Sequence, residues 1–290
     1  MGTVGNVGAV GNVGAVGNVG AVSNVGAVGN VGTVSNVGAV SNVGAVGNVG
    51  AVGNMNLEKF TGLAENYAKA RPGYAAEAVS FLYDELAPRG AVLADIGAGT
   101  GKLTELLARR GSTVYAVEPN ADMRTKLVRL LASYPNARAV EGSAEHTTLE
   151  RGSVDTVLCA QAFHWFDPEA FRAECGRILR PGGRVVILYN RDLDRANRVH
   201  EAEVIRREEN IRRFFGGGME RAVFPNPRYY SREDWLAFML SHSGSPRPAS
   251  PEYAGFIDEM NAVFDWESKD GQLLRSFQTN VYYRKQDRFL

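Results

Sequence analysis

One short stretch of the chain carries an acidic residue and three glycines at alternate positions: Asp95, Gly97, Gly99 and Gly101. The stretch begins at the end of an apolar run that predicts a buried strand over residues 91–96. Glycines in a turn after a strand let backbone amides come close to a ligand. A dinucleotide-binding turn reads G-x-G-x-x-G, but here Lys102 stands where the last glycine would fall. A carboxylate at position 95 also repels phosphate, so the stretch predicts a nucleotide cofactor held without a pyrophosphate contact.

A second carboxylate, Glu118, follows the next predicted strand, residues 113–117. The helix between the two strands places Leu103 and Leu107 on one face and stops at Gly111. A carboxylate at the end of the second strand, about 20 residues after the first, is where this layout binds ribose hydroxyls. Each carboxylate alone could be a surface or helix-dipole residue. Both together, with the glycines between them, favour a cofactor site.

Strands and helices continue to alternate up to residue 189. Apolar runs predict further strands over residues 137–140, 154–160 and 184–189. Asn120 caps one of the helices between them, and Asp167 begins another. This alternation predicts an α/β fold with a doubly wound, mostly parallel sheet and a ligand crevice at the C-terminal edge of its strands. Beyond residue 190 the pattern is less regular, and we interpret that part as a C-terminal cap region plus the last strands of the sheet.

Residues 5–52 are eight copies of the hexamer Gly-Asn-Val-Gly-Ala-Val, with a few Ser and Thr replacements. Collagen is rejected because the tract has no proline and serine interrupts the glycine positions. A hexapeptide β-solenoid would have fewer than three three-sided coils and only valine inside, so disorder is the expected state. Alternatively, the tract is an upstream repeat and the protein starts at Met55. We therefore divide the chain into a low-complexity tract, 1–54, and one folded domain, 55–290.

Charge and cysteine content exclude several classes of partner. Lys plus Arg equals Asp plus Glu, 32 against 32, so no net field attracts nucleic acid or an anionic membrane. Cys159 and Cys175 form neither a disulfide framework nor a metal-binding spacing, and no metal site is predicted. No apolar run is long enough to span a membrane, and no secretion signal is readable. We expect a cytoplasmic protein that acts on a small molecule.

The stretch from Phe60 to about Arg284 resembles the type-11-like class I methyltransferases, and within them the group similar to trans-aconitate methyltransferases. The glycine stretch and the acid on the next strand match their cofactor motif. Further matches are Gly-x-Ala-Glu at 142–145, Gln-Ala-Phe-His-Trp-Phe at 161–166 and Leu-x-Pro-Gly-Gly at 179–183. The resemblance implies a Rossmann-like sheet of seven strands and S-adenosylmethionine (SAM) as the cofactor. The repetitive tract is absent from the family, which puts the start site in doubt.

The resemblance also implies which residues bind SAM. The predicted cofactor residues are Tyr67, Arg71, Asp95, Gly97, Gly99, Gly101, Glu118, Ser143, Ala144, Glu145 and Gln161. Tyr67 and Arg71 are placed near the methionine end of the cofactor or near the substrate. Residues 143–145 are placed against the adenine.

His164 and Trp165 are the predicted catalytic residues. The loop after the fourth strand faces the transferred methyl group in this layout, so Trp165 is expected to form a wall of the substrate pocket. His164 is either a general base or a hydrogen-bond donor. The alternative is that this His-Trp pair belongs to an ordinary packed loop.

Methyl transfer from a sulfonium is an in-line displacement, in which positioning and exclusion of water supply most of the catalysis. The fourth strand is not followed by the motifs of adenine, glutamine or cytosine methylation, so a small metabolite is the favoured acceptor. The resemblance suggests a carboxylate oxygen, with Arg71 a candidate for holding the acid. Two alternatives stay open: a non-catalytic SAM-binding regulator and, less favoured, a nicotinamide-dependent oxidoreductase.

Overall fold

The computed structural model describes four short strands in the tract and residues 71–87, 90–194, 198–242 and 244–284 of the remaining chain. The chain divides into two compact units, Met1–Lys59 and Phe60–Leu290. The boundary predicted from the sequence, between residues 54 and 55, lies a few residues earlier.

The four strands of the tract pair in parallel. They are β1 (Thr3–Val4), β2 (Val7–Val10), β3 (Ala21–Val28) and β4 (Val40–Val46). Paired residues are 18 positions apart, with Thr3 opposite Ala21 and Val22 opposite Val40. Because 18 residues are three hexamers, this is the register of a three-sided solenoid. At these strands the structure matches the solenoid alternative. The other residues of the tract, for which disorder is also the expectation, lie outside the described residues.

The second unit is built on a seven-stranded sheet. Its strands are β5 (Val92–Ile96), β6 (Thr113–Val117), β7 (Ala137–Val140), β8 (Val154–Ala160), β9 (Leu179–Asp192), β10 (Met219–Pro225) and β13 (Phe277–Arg284). Their order in the sheet is β10-β13-β9-β8-β5-β6-β7. The five strands from β9 to β7 are parallel, whereas β13 and β10 pair antiparallel. The predicted doubly wound, mostly parallel sheet of seven strands is confirmed.

Helices connect the strands of the sheet. They are α1 (Ala76–Phe81), α2 (Lys102–Arg109), α3 (Ala121–Leu131), α4 (Pro168–Ile178), α5 (Arg198–Phe215), α6 (Arg232–Leu240) and α7 (Tyr253–Glu267). A π-helical turn, Leu82–Leu86, continues α1. The predicted caps are confirmed: the Asn120 side chain accepts from Met123 N, and the Asp167 side chain accepts from the amides of residues 169 and 170. None of the described helices is long and apolar enough to cross a membrane.

The core lies on both faces of the sheet. Alternate strand residues point to opposite faces, and in the central strands both sets are buried. On one face Leu93 and Leu158 pack with Leu82 and with Leu107 of α2. On the other face, Ile96 and Cys159 pack with apolar residues of α4 and α5. Burial on both faces explains the nearly continuous apolar runs of the sequence.

Two antiparallel strands, β11 (Arg228–Tyr230) and β12 (Leu273–Arg275), lie with α6 and α7 between β10 and β13 in the chain. These elements are the predicted cap, and they have an aromatic core of their own that includes Trp235, Phe238 and Phe264. The Arg275 guanidinium binds the Asp192 carboxylate at 3.0 Å and lies over the Trp235 ring. The cap is thereby tied to the end of β9.

Candidate active site

A cleft of about 630 Å³ opens at the C-terminal edge of the sheet. It lies where β5 and β8 end, which is the position where the strand order reverses and where open α/β sheets bind ligands. Seven of the predicted site residues line it: Arg71, Asp95, Gly97, Gly99, Gln161, His164 and Trp165. Gly101, Glu118 and residues 143–145 lie outside the lining, and Tyr67 lies outside the described residues.

Asp95 lies at the floor of the cleft and is only 1% exposed. Its Oδ2 accepts a hydrogen bond from the Thr104 hydroxyl at 2.6 Å, whereas Oδ1 has no hydrogen-bond partner among the described residues. Burial raises the pKa of this carboxyl to about 6, and the nearby Glu118 carboxylate adds to the effect. A buried acceptor without a partner is costly in a ligand-free protein. Its position in the cleft provides a contact for a ligand that carries an N–H or O–H group.

The glycine turn after β5 leaves room at two positions. Gly97 has φ +71°, and a Cβ there would lie 2.7 Å from the Cβ of Ala162. Gly101 has φ +94°, and a Cβ there would lie 2.7 Å from the Leu127 and Leu130 side chains. Gly97 therefore lets the turn approach the loop after β8, and Gly101 lets α2 begin close to α3. The glycine spacing is a packing requirement that shapes the wall of the cleft.

Glu118 connects the end of β6 to the glycine turn. Its Oε2 accepts from Gly99 N and its Oε1 from Asn120 N, both at 2.8 Å. Burial raises the pKa of the carboxyl, and these two bonds oppose the shift. Each oxygen keeps acceptor capacity, since a carboxylate offers about four lone-pair sites. The carboxylate can therefore hold the turn in place and accept from a pair of ligand hydroxyls.

The loop that contains residues 143–145 lies beside Glu118, because Glu118 N donates to Val140 O at 3.0 Å. Gly142 permits the bend of this loop, since a Cβ there would lie 2.7 Å from Thr147 O. Ser143 and His146 close the loop by a backbone hydrogen bond. Glu145 reaches the end of the neighbouring loop, where its Oε1 accepts from Asp167 N at 3.0 Å. The loop is thus placed to cover a group bound by Glu118.

His164 and Trp165 belong to a short 3-10 turn, Phe163–Trp165, that follows β8. Their rings pack together with centroids 4.6 Å apart. The His164 side chain is exposed toward the cleft, and its Nδ1 lies 3.0 Å from the Tyr189 hydroxyl. Gln161 precedes the turn with a left-handed backbone, φ +59°, which is unusual for a residue other than glycine. Strain of this kind commonly marks functional loops.

Several cleft residues were missed by the sequence interpretation of the site. They are Lys102, Asn190, Asp192, Glu203, Arg206, Arg207, Phe238 and His242. Burial lowers the pKa of Lys102 to about 8, and the neighbouring Arg228 and Arg71 guanidinium groups add to the decrease. Adjacent arginines in a charged helix, such as Arg206 and Arg207, do not indicate a binding site in the sequence, since most such pairs are exposed to solvent. Only the contact of α5 and the cap with the sheet edge brings these side chains to the cleft.

The cleft fits the cofactor that the sequence resemblance implies. The unpartnered oxygen of Asp95 suits an ammonium group, and the Glu118 carboxylate suits ribose hydroxyls. Among the described residues, no group of three His, Cys, Asp or Glu side chains could hold a metal ion.

Comparisons with known proteins agree with the cofactor that this cleft fits. Residues 94–187 match the family model described as a methyltransferase domain. An uncharacterized methyltransferase of Mycobacterium tuberculosis (strain H37Rv) is 41% identical over 162 residues, which are 56% of this chain and 62% of that protein. The chain therefore spans about three fifths of the length of the curated mycobacterial relatives that it matches.

Two further proteins match over nearly their whole length. A candidate type II methyltransferase from Anaeromyxobacter dehalogenans has a solved structure of the same fold, with TM-score 0.54 and 22% identity over 76% of this chain and 98% of that one. An uncharacterized methyltransferase of Geobacillus kaustophilus (strain HTA426) is 30% identical over 220 residues, 71% of this chain and 96% of that protein. The chain therefore belongs to the methyltransferase family, and SAM is the cofactor of that family.

Proposed function

We propose that this protein transfers a methyl group from SAM to a carboxylate oxygen of a small organic acid. The observation that carries the proposal is a group of basic side chains in the cleft: Arg71, Lys102, Arg206 and Arg207. Asp192, one of the acids in the lining, is already paired with Arg275. An anionic acceptor is the ligand that such a cleft attracts. Family membership favours methyl transfer over the nicotinamide alternative.

SAM, when bound, supplies an electrophilic methyl group on a sulfonium and leaves as a neutral thioether. The residues of the chain then have to hold the acceptor in line and exclude water. Arg71 lies over the Phe238 ring at 5.7 Å and donates to Ser241 O, which fixes its guanidinium between the sheet edge and the cap. A guanidinium in this place can bind one carboxylate group of the acceptor. Because an ionised carboxylate is already a nucleophile, no residue has to remove a proton.

The experiment is a substrate panel. Small mono-, di- and tricarboxylic acids are each assayed with radiolabelled SAM, beside alcohols and amines of matched size. Methyl-ester formation from acids, with no product from alcohols and amines, is the expected outcome. Products from a compound without a carboxylate would contradict the carboxylate proposal, whereas SAM binding without turnover on any acceptor would favour the non-catalytic regulator.

Two arginines of one helix provide a matched pair of variants. Arg206 and Arg212 are both exposed on α5, but only Arg206 lines the cleft. We expect Arg206→Ala to raise KM for the acid about 3- to 10-fold, as for the loss of one exposed charge contact of about 1 kcal/mol, without changing SAM affinity. Arg212→Ala should leave KM unchanged. Equal KM values in the two variants would show that the basic group of the cleft does not hold the acceptor.

A further inference from the structure

The Tyr189 hydroxyl contacts His164 twice. Tyr189 lies on β9 and is 1% exposed. Its Oη lies 3.1 Å from the backbone N of His164 and 3.0 Å from Nδ1 of the same residue. Within the described part of the chain, these are the hydrogen-bond partners of this hydroxyl. One buried tyrosine thus holds both the backbone and the ring of the cleft histidine.

The hydrogen-bonding capacity of the two partners decides where the protons are. A backbone N–H can only donate, so Tyr189 Oη accepts from His164 N. The phenolic proton then needs an acceptor, because a buried hydroxyl without one is costly. The unprotonated form of Nδ1 is the acceptor within reach. Burial raises the pKa of the Tyr189 hydroxyl well above its ordinary range, and the Arg207 guanidinium 4.4 Å over its ring opposes this only in part.

We infer that Tyr189 is a positioning residue that keeps His164 in the tautomer with the proton on Nε2. In this tautomer His164 offers the cleft an N–H donor and no basic ring nitrogen, since Nδ1 is engaged by Tyr189. The use of that donor rests on the proposed function: it binds the carboxylate of the acceptor and orients its second oxygen toward the methyl group. The sequence left the roles of base and donor open for His164, and the contact with Tyr189 selects the donor.

Nitrogen NMR of histidine-labelled protein tests the tautomer directly. The chain has four histidines, and His164→Gln assigns the signal of interest by its loss. Near pH 8 we expect Nε2 of His164 to have the chemical shift of a protonated nitrogen and Nδ1 that of an unprotonated one. Tyr189→Phe should shift this equilibrium toward a mixture of tautomers. A wild-type ring protonated at Nδ1 would overturn the inference.

Tyr282→Phe is the matched control. Tyr282 is a second buried tyrosine of the same sheet, and its hydroxyl donates to Glu208 Oε1 at 2.8 Å. Its phenylalanine variant loses a buried hydroxyl too, so general destabilisation affects both variants alike. It should leave the His164 tautomer as it is in the wild type. A Tyr189→Phe spectrum identical to that of Tyr282→Phe would show that Tyr189 does not set the tautomer.

Kinetics separate a donor from a base. The amide Nε2–H of glutamine can replace the ring Nε2–H, so His164→Gln should keep most of the kcat/KM for an acid. His164→Ala should lose about 10- to 100-fold, as for one hydrogen bond to a charged group. Equal losses in the two variants would contradict the donor role. Since the NMR experiment needs no substrate, a failure of acids as acceptors would overturn the proposed function and leave the tautomer result standing.

Discussion

Two buried carboxylates of this domain show opposite behaviour. Asp95, at the floor of the cleft, has one oxygen without a partner, and burial raises its pKa to about 6. Glu174, beneath the loop after β7, accepts from Thr147 N, from the Thr147 hydroxyl and from Arg177 through both oxygens. Burial would raise the pKa of Glu174 as well, but these hydrogen bonds outweigh it and lower the pKa to about 2.

The difference identifies the carboxylate that can still accept a hydrogen bond from a ligand. Both oxygens of Glu174 accept hydrogen bonds from the chain, so it stabilises the fold above pH 4.5, and this contribution is lost as the pH falls toward 2. The raised pKa of Asp95 has the opposite sign: its cost in stability grows as the pH rises from 3.8 to about 6 and is fully present above that pH. A buried acid that destabilises the free protein and lines a cleft is a candidate ligand contact.

The largest expected effect on SAM affinity comes from Glu118→Ala. The substitution removes a charge-assisted pair of hydrogen bonds to ribose, worth about 1.5 to 3 kcal/mol, and should weaken SAM binding by about 10- to 100-fold. Folding should survive with some loss of stability, because the buried amide of Asn120 and the half-buried amide of Gly99 lose their acceptor. Isothermal titration calorimetry measures the affinity. Glu141→Ala, which removes an exposed carboxylate from the neighbouring loop, is the control that should bind as the wild type.

Asp95→Asn should weaken SAM binding about tenfold, because the ligand's ammonium group loses a charged acceptor but keeps a polar one. The same substitution should stabilise the SAM-free protein at pH 7 by up to about 3 kcal/mol, the cost of a carboxyl whose pKa is raised by about 2 pH units. Urea unfolding measures this gain. A variant that is less stable than the wild type and binds SAM normally would make Asp95 a structural acid like Glu174.

The sequence alone predicts the strand ends that border the cleft far better than the cleft residues that come from α5 and the cap. The strands β6, β7 and β8 have the predicted bounds. The central strand β8 is buried on both faces and leaves an apolar run in the sequence. Asp95 and Glu118 could be placed from the apolar runs too, since Asp95 lies near the end of β5 and Glu118 directly follows β6. Strand β9 begins at Leu179, five positions before the predicted residue 184, because its pairing with Val154 continues through the Pro-Gly-Gly turn.

The cleft residues from α5, β9 and the cap depend on contacts between residues distant in sequence. Arg206 reaches the cleft because α5 packs over the sheet edge, and its local pattern is that of any charged helix. Tyr189 lies in an apolar strand, where its position predicts only burial. Its contact with His164 follows from the turn after β8, which brings residues 25 positions apart within hydrogen-bonding distance. No spacing rule in the sequence contains that information.

A smaller effect is expected from pH. With a pKa of about 6, the Asp95 carboxyl is mostly ionised at pH 7 and half protonated at pH 6. Protonation removes the charge that attracts the ligand's ammonium group, so SAM affinity should fall about twofold from pH 7 to pH 6. In Asp95→Asn this decrease should be absent. A decrease of the same size in both proteins would assign the titration to another group.

The smallest effect on SAM affinity is expected from the other carboxylate of the comparison. Glu174→Gln removes the charge that pairs with Arg177 but keeps an oxygen that can accept from Thr147 N, so the loop after β7 keeps its path and SAM affinity should stay within about twofold of the wild type. Stability should nevertheless fall by about 2 kcal/mol at pH 7, because a buried carboxylate with a lowered pKa contributes most when it is ionised. The stability difference should shrink as the pH falls from 4.5 toward 2, where the wild-type carboxyl is protonated too.

Glu169→Gln, on the exposed side of the same helix, is the control and should change stability by less than about 1 kcal/mol. A Glu174→Gln variant that unfolds like the wild type but no longer binds SAM would reverse the roles of the two acids. Glu174, instead of Asp95, would then be the carboxylate that contacts the ligand.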